Sequence, residues 1–246
     1  MRTLMAQQPN YAPYLGFFDR AARADVLVLQ DDLNYAKQEW QNRNRVRSGD
    51  SWRWLTVPVH GSHRAPIRDT RPVDGSWLPR HLRVLRQEYP GSASGARIDA
   101  LSEALGPIRD TTLAVINEAL IRHLMDVLGI DTPIVRESEL GIPRVLEPNR
   151  RLLLLSELLG CDSYLSGTGG RNYVQPELWR AEGVLLEEHL FAPLPYGDRR
   201  EHWQPNLSAL DLLLLSADPA AEFSRARQRS GRQPWTANRP DQVVIP

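Results

Sequence analysis

Hydrophobic and polar positions alternate between two rhythms along this chain, and the switch between them predicts the elements. Residues 3–6 form a short apolar run that predicts a strand. Residues 13–24, with a proline in the first turn, predict a helix, and 25–30 (DVLVLQ) is an almost unbroken apolar run, the signature of a strand buried on both faces. Strand, helix, strand is a βαβ unit, whose strands are normally parallel. A polar and aromatic stretch, 33–50, reads as a loop or short helix, and 54–59 (WLTVPV) as a further strand ending at His60. Prolines and glycines break the pattern over 64–106, apart from a helix at 77–89 that carries His81. Leu113, Ile116, Leu120, Leu124 and Leu128 recur at helical spacing within 111–128, and Gly129 ends that helix. A second strong helix spans 150–159 and closes at Gly160. A strand at 162–166 then runs into a glycine-rich turn, 184–190 reads as a strand, and 207–216 as a late helix. Beyond Pro219 the pattern fades. The expected fold is α/β, with a mixed, partly parallel sheet flanked by helices, and α+β is the alternative. One domain is expected over 1–224, followed by an extended tail from Arg225 over 225–246, rich in Arg, Gln and Pro.

Charge changes this picture by exclusion. Thirty basic and thirty acidic residues cancel, so no overall field draws the chain to nucleic acid or to an acidic membrane surface. The apolar runs 152–155 and 212–215 are too short to span a bilayer and the first residues lack a signal-peptide core, which predicts a cytoplasmic protein. A single cysteine, Cys161, excludes an internal disulfide and a multi-cysteine zinc site, and no ligand spacing for a metal is visible. Arginine outnumbers lysine twenty-nine to one. The exception, Lys37, marks a position where a compact ammonium is wanted, or one of chance on a solvated loop.

If the first strands are parallel, Gln8 and Asn10 lie near Asp31 and Asp32 at the carboxyl edge, where open α/β sheets bind ligands. The neighbours Asp31 and Asp32 point to opposite faces, so at most one faces a site while the other can cap the following turn. Gln8, Asn10, Tyr11, Lys37, Asn42, Arg43 and Asn44 combine amide donors and acceptors with fixed cations, a set suited to hydroxyl-rich or phosphate-bearing ligands. The plainer alternative is that they satisfy the backbone of a long loop. Ser166, Gly167, Gly169 and Gly170 would let backbone N–H groups approach an oxyanion, although the spacing is neither a dinucleotide nor a Walker fingerprint, and a simple tight turn is the alternative.

Six segments together resemble the WbqC-like family: QPNYAPYLGFFD (8–19), ADVLVLQDDLNYAKQEWQNRNRV (24–46), WLTVPV, the WLPRHL stretch around His81, YLSGTGGRNYV (164–174) and NLSALDLLL (206–214). Members occur in bacterial gene clusters for O-antigen sugars and for natural products. Among them, lincosamide condensing proteins join an aminoacyl group, held as a carrier-protein thioester, to an amino sugar. The resemblance therefore implies an amide-forming acyl or aminoacyl transferase with an acyl or peptidyl carrier protein and a small amino-sugar acceptor as partners. The resemblance also implies that the chain binds no cofactor of its own and that the carrier supplies the phosphopantetheine arm. A covalent route would use Cys161 as thiolate, His81 as base and Asp31 to orient it; in the family pattern a small residue such as Ala is common where Cys161 stands, so direct aminolysis stays open. His60 is the second choice of base. The alternatives are a sugar-modifying or glycosyl-transferring enzyme of polysaccharide assembly, with Asp31, Asp32 and the glycine turn on a nucleotide-sugar, and a non-catalytic scaffold.

Overall fold

The computed structural model describes residues 1–60, 64–197 and 203–236. Its centre is a six-stranded sheet whose two innermost strands are β1 (Thr3–Gln7) and β2 (Val26–Leu29), linked by helix α1 (Leu15–Ala21). They pair in parallel from Leu4 against Val26 to Gln7 against Leu29. Both are buried at nearly every position because both faces of the sheet are covered. Side-chain alternation divides them: Met5, Leu27 and Leu29 enter one core, and Leu4, Ala6, Val26 and Val28 the other.

The hairpin of β3 (Arg43–Ser48) and β4 (Ser51–Thr56) and a two-residue strand, β5 (Val59–His60), paired with β6 (Arg71–Pro72), stand outside that sheet. Helices α2 (Trp77–Glu88), α3 (Ser92–Leu105) and α4 (Leu113–Leu128) follow, and together with α1 they fill the first core. The leucine stripe of α4 is buried as its spacing requires, and Gly129 ends the helix at φ 68°, a left-handed conformation that a residue without Cβ adopts most easily. Strand β7 (Ile134–Arg136) adds to β2 in parallel. Helix α5 (Pro148–Leu158) starts where Glu147 accepts a bond from the Arg150 amide, and it covers the second core with α6 (Pro176–Ala181). Strand β8 (Ser163–Ser166) joins the other side of β1, and β9 (Leu185–Leu190) joins β8, both in parallel. The sheet is thus mixed and mostly parallel with helices on both faces, the expected α/β architecture.

Several elements differ from expectation. Helix α3 lies in the stretch where glycine and proline obscured any pattern, yet Ile98, Leu101 and Leu105 are buried at helical spacing. The chain beyond Pro219 does not fade: α7 (Ala209–Leu215) is followed by α8 (Pro219–Arg229) and by β10 (Gly231–Pro234), which pairs antiparallel with β9. Residues 225–234, expected as tail, are therefore helix and sheet. Strand β10 (GRQP) has no apolar alternation because it is an edge strand, tolerant of proline and held by polar contacts. Arg232 meets Glu187 at 3.5 Å and Gln233 donates to Glu188 at 3.2 Å. Residues 237–246 lie outside the described residues.

Candidate functional site

The carboxyl ends of β1, β2 and β8 do gather at one edge. The chain leaves β1 towards β2 and leaves β8 in the opposite direction towards β9, so β1 and β8 flank the topological switch point. The polar groups there are already engaged. Asp31 accepts from the Ser138 amide at 3.0 Å and from its hydroxyl at 2.7 Å, which caps the 3-10 turn Glu137–Glu139. Asp32 faces Arg68 and Arg144, each at 3.2 Å. Of the two adjacent aspartates, Asp31 thus ties down a distant turn and not the one that follows it, and it orients no histidine. Beyond them Glu137 and Arg151 form a buried ion pair. Gln7 accepts from Arg20 at 2.5 Å.

The glycine turn is closed in the same way. Ser166 is fully buried, and its hydroxyl donates to the Gly167 carbonyl at 3.1 Å. A Cβ on Gly170 would collide with that Ser166 oxygen, and a Cβ on Gly167 with the Arg20 guanidinium. Gly167 and Gly170 are small because neighbouring side chains occupy the space, not because an anion does. Gly169 is exposed beside them, in the 3-10 turn Thr168–Asn172.

His81 is buried between two partners. Its Nε2–H donates to the Thr56 carbonyl at 3.1 Å, so Nδ1 accepts from the Tyr11 hydroxyl at 2.8 Å. Burial pushes the imidazole down to about 4, and burial raises the Tyr11 phenol. Both side chains pack on Trp77. This histidine is a neutral strut with neither nitrogen free for a substrate, which corrects its assignment as base. Cys161 is also displaced. It lies before β8, at the amino edge, and the five residues from there to Ser166 span roughly 16 Å of extended chain. It is 6% exposed, burial raises its thiol, and its neighbours are the second core. No covalent triad of Cys161, His81 and Asp31 exists.

The predicted polar set of the two loops splits into a frame and a recess. In the frame, Gln8 accepts from Gln41 at 2.8 Å, and the Tyr11 amide donates to the Trp40 carbonyl at 2.8 Å. The Asn44 amide donates to the Tyr11 and Ala12 carbonyls at 3.2 and 2.8 Å, across a bend where Ala12 takes φ 44°. Asn117 of α4, which the sequence reading did not nominate, locks both loops by donating to Pro9 and Gln41 carbonyls at 2.7 and 2.8 Å. Asn10 is half-buried beside this frame.

Lys37, Asn42 and Arg43 line a recess of about 230 Å³, together with Tyr35, Gln38 and Thr56. Asn42 donates to the Val57 carbonyl at 2.8 Å, but its own carbonyl oxygen is buried without a partner. Lys37 is exposed and makes no hydrogen bond or ion pair among the described residues. Gln38 next to it has φ 64°, a conformation unusual for a residue with Cβ and frequent at ligand sites. Arg43 donates to the Gln38 carbonyl and lies 4.3 Å from the centre of the Trp54 ring. The rim continues as Arg45 between Trp40 and Trp52, at 5.5 and 5.1 Å. Trp52, Trp54, Arg45, Tyr35 and Thr56 were not nominated from sequence. The signal was present: Arg43 and Arg45 on β3, and Trp52, Trp54 and Thr56 on β4, each follow a period of two that sets them on one face once the strands pair.

A larger hollow of about 450 Å³ lies at Gly75, Leu78, Pro79, Leu82 and Arg109. Its charged groups, Arg109 and Asp110, face each other at 3.5 Å, and it holds none of the residues predicted from sequence. Among the described residues no helix is long and apolar enough to cross a membrane, and no group of three His, Cys, Asp or Glu side chains is placed to hold a metal ion.

Comparison with known proteins gives a consistent picture of kinship. An uncharacterised protein of Mycobacterium tuberculosis is 30% identical over 235 residues, covering 92% of this chain and 98% of that one. No solved structure matches. The WbqC-like protein family model matches residues 8–222, which include both loops of the frame, the whole recess and its rim, and the chain belongs to that family.

Proposed function

We propose that this WbqC-like protein is an amide-forming acyl or aminoacyl transferase that works by direct aminolysis, with the Lys37 recess as its substrate site. The observation that carries this reading is a recess holding a partnerless ammonium and a buried, partnerless amide oxygen on a frame fixed by hydrogen bonds. A rigid site that keeps donors and acceptors unfilled is built for a ligand, because a buried orphan oxygen otherwise costs about 1–3 kcal/mol. In the reaction, the acceptor amine attacks the carrier thioester carbon, the C–N bond forms, the C–S bond breaks, and the ammonium proton passes to the departing thiolate. Lys37 and Asn42 would hold the substrate in the recess so that the amine and the thioester carbon meet in a fixed orientation. The glycosyl-transferring alternative loses its carboxylates, since Asp31 and Asp32 are engaged by Ser138, Arg68 and Arg144.

The test is incubation of the purified chain with aminoacyl-loaded carrier protein and an amino sugar, without ATP, with mass spectrometry of the products. Amide product from wild type and its loss in Lys37→Ala is the expected result. Carrier binding without turnover for any loaded donor would favour the scaffold reading instead.

A further inference from the structure

Several cations of this chain meet no carboxylate among the described residues: Arg20 and Arg97 donate instead to Gln7 and to backbone carbonyls, whereas Lys37, Arg43 and Arg45 fall together within residues 37–45. Arg23, Arg47, Arg136, Arg151 and Arg171 each meet a carboxylate. Lys37, Arg43 and Arg45 meet none among the described residues, although the exposed Glu39 lies in the same loop. Arg43 and Arg45 are two residues apart on one face of β3, about 7 Å along the strand. Their guanidinium planes lie over indole rings. Stacking holds each plane while leaving its in-plane N–H donors for an anion, and the Nε of both arginines is buried without a partner. Burial lowers the Arg45 guanidinium, the direction expected where a counter-charge is missing. Asn42, only 7% exposed, lines the same recess and has a buried carbonyl oxygen without a partner.

We infer that the recess and its rim recognise a phosphate ester, whose phosphate sits between Lys37 and the Arg43 and Arg45 guanidinium edges while an O–H or N–H of the same molecule donates to Asn42 Oδ1. Three cations exceed what one carboxylate neutralises, whereas a phosphate offers several acceptor oxygens and can carry more than one charge. The inference rests on the reading above for the identity of the substrate site and names the group that the site grips. Two sources share this chemistry: the phosphopantetheine arm of a carrier, and a phosphorylated amino sugar.

Calorimetric titration of the full chain with two pairs of probes, coenzyme A against pantetheine and glucosamine phosphate against glucosamine, tests it. In at least one pair the phosphorylated member is expected to bind about tenfold tighter or more, and Lys37→Ala with Arg43→Gln to abolish that preference. Preference within the first pair identifies the arm, and within the second the sugar phosphate. Equal binding within both pairs, no binding of either phosphorylated probe, or a preference that survives the double substitution would overturn the inference. Phosphate-selective binding without amide product removes the amide-forming reading and leaves this one standing; amide product without phosphate preference does the reverse.

Discussion

The carboxyl edge of the sheet and the recess beside the β3–β4 hairpin are both rich in polar side chains, but they differ in how those side chains are satisfied. At the edge, the carboxylates stand against hydroxyl or charged partners, Asp31 against Ser138, Asp32 against Arg68 and Arg144, and Glu137 against Arg151, although one Asp32 oxygen and both Glu137 oxygens are buried without a hydrogen bond. In the recess, Lys37 and the carbonyl of Asn42 have none among the described residues, and Arg43 and Arg45 keep unpartnered Nε atoms. Polar content therefore does not locate a site. What separates the recess is that its cations have no carboxylate beside them among the described residues, whereas Asp32 and Glu137 at the edge each face an arginine.

Breaking the edge tests its structural half. Glu137→Ala leaves the Arg151 guanidinium buried beside backbone carbonyls, and the loss of one partner from a buried pair costs about 3–5 kcal/mol. Chemical denaturation should show that loss. A variant as stable as wild type would mean that the edge is not held together as described.

The frame beneath the recess has its own signature in pH. His81 has its ordinary value of 6.5 in the unfolded chain and about 4 in the fold, so between these values the unfolded state binds more protons. Its contribution to stability is full above pH 6.5 and is lost as pH falls towards 4, on the order of 3 kcal/mol at most. His81→Phe should be less stable at neutral pH, since Tyr11 loses its acceptor, yet flatter between pH 4 and 6.5 than wild type. An unchanged slope would show that the imidazole is not buried in its neutral form.

The recess should respond in the opposite way. Lys37→Ala removes an exposed side chain with no partner among the described residues, so stability should move by less than about 0.5 kcal/mol. Substrate affinity should fall by roughly tenfold or more, the worth of one charge-assisted contact. Measuring both on the same preparation sharpens the contrast with Glu137→Ala, which loses stability. A Lys37→Ala variant that melts early would place the lysine in the frame.

The parts of the fold that were legible in the sequence are those whose burial is set locally. The apolar runs of β1 and β2 and the stripe of α4 can only be buried, and Gly129 after α4 and Gly160 after α5 end those helices in left-handed conformation. Strand β10 was not legible, because GRQP becomes a strand only by pairing with β9. The site divides along the same line. The concentration of cations and amides over 37–44 is visible in the chain, and Lys37, Asn42 and Arg43 do share a recess. That Gln8, Tyr11 and Asn44 hold the frame, and that Asp31 belongs to Ser138, depends on partners from other segments, up to 107 residues away in the chain.

Cys161 gives the smallest effect and separates the two routes of amide formation. Its sulfur is buried at the amino edge among the residues of the second core, its thiol is raised by burial, and its polar contact is with the Leu159 carbonyl at 3.8 Å. A thiolate is the nucleophilic form, so burial at this position makes the group inert. Cys161→Ala should therefore retain the rate of amide formation in full while stability falls by about 1 kcal/mol, the cost of a small cavity in the second core. A large loss of rate at unchanged stability would require the sulfur to reach the substrate. Because Cys161 precedes β8 by two residues and Ser166 ends it, that would require the carboxyl and amino edges to exchange roles, which the parallel register of β1 with β8 forbids.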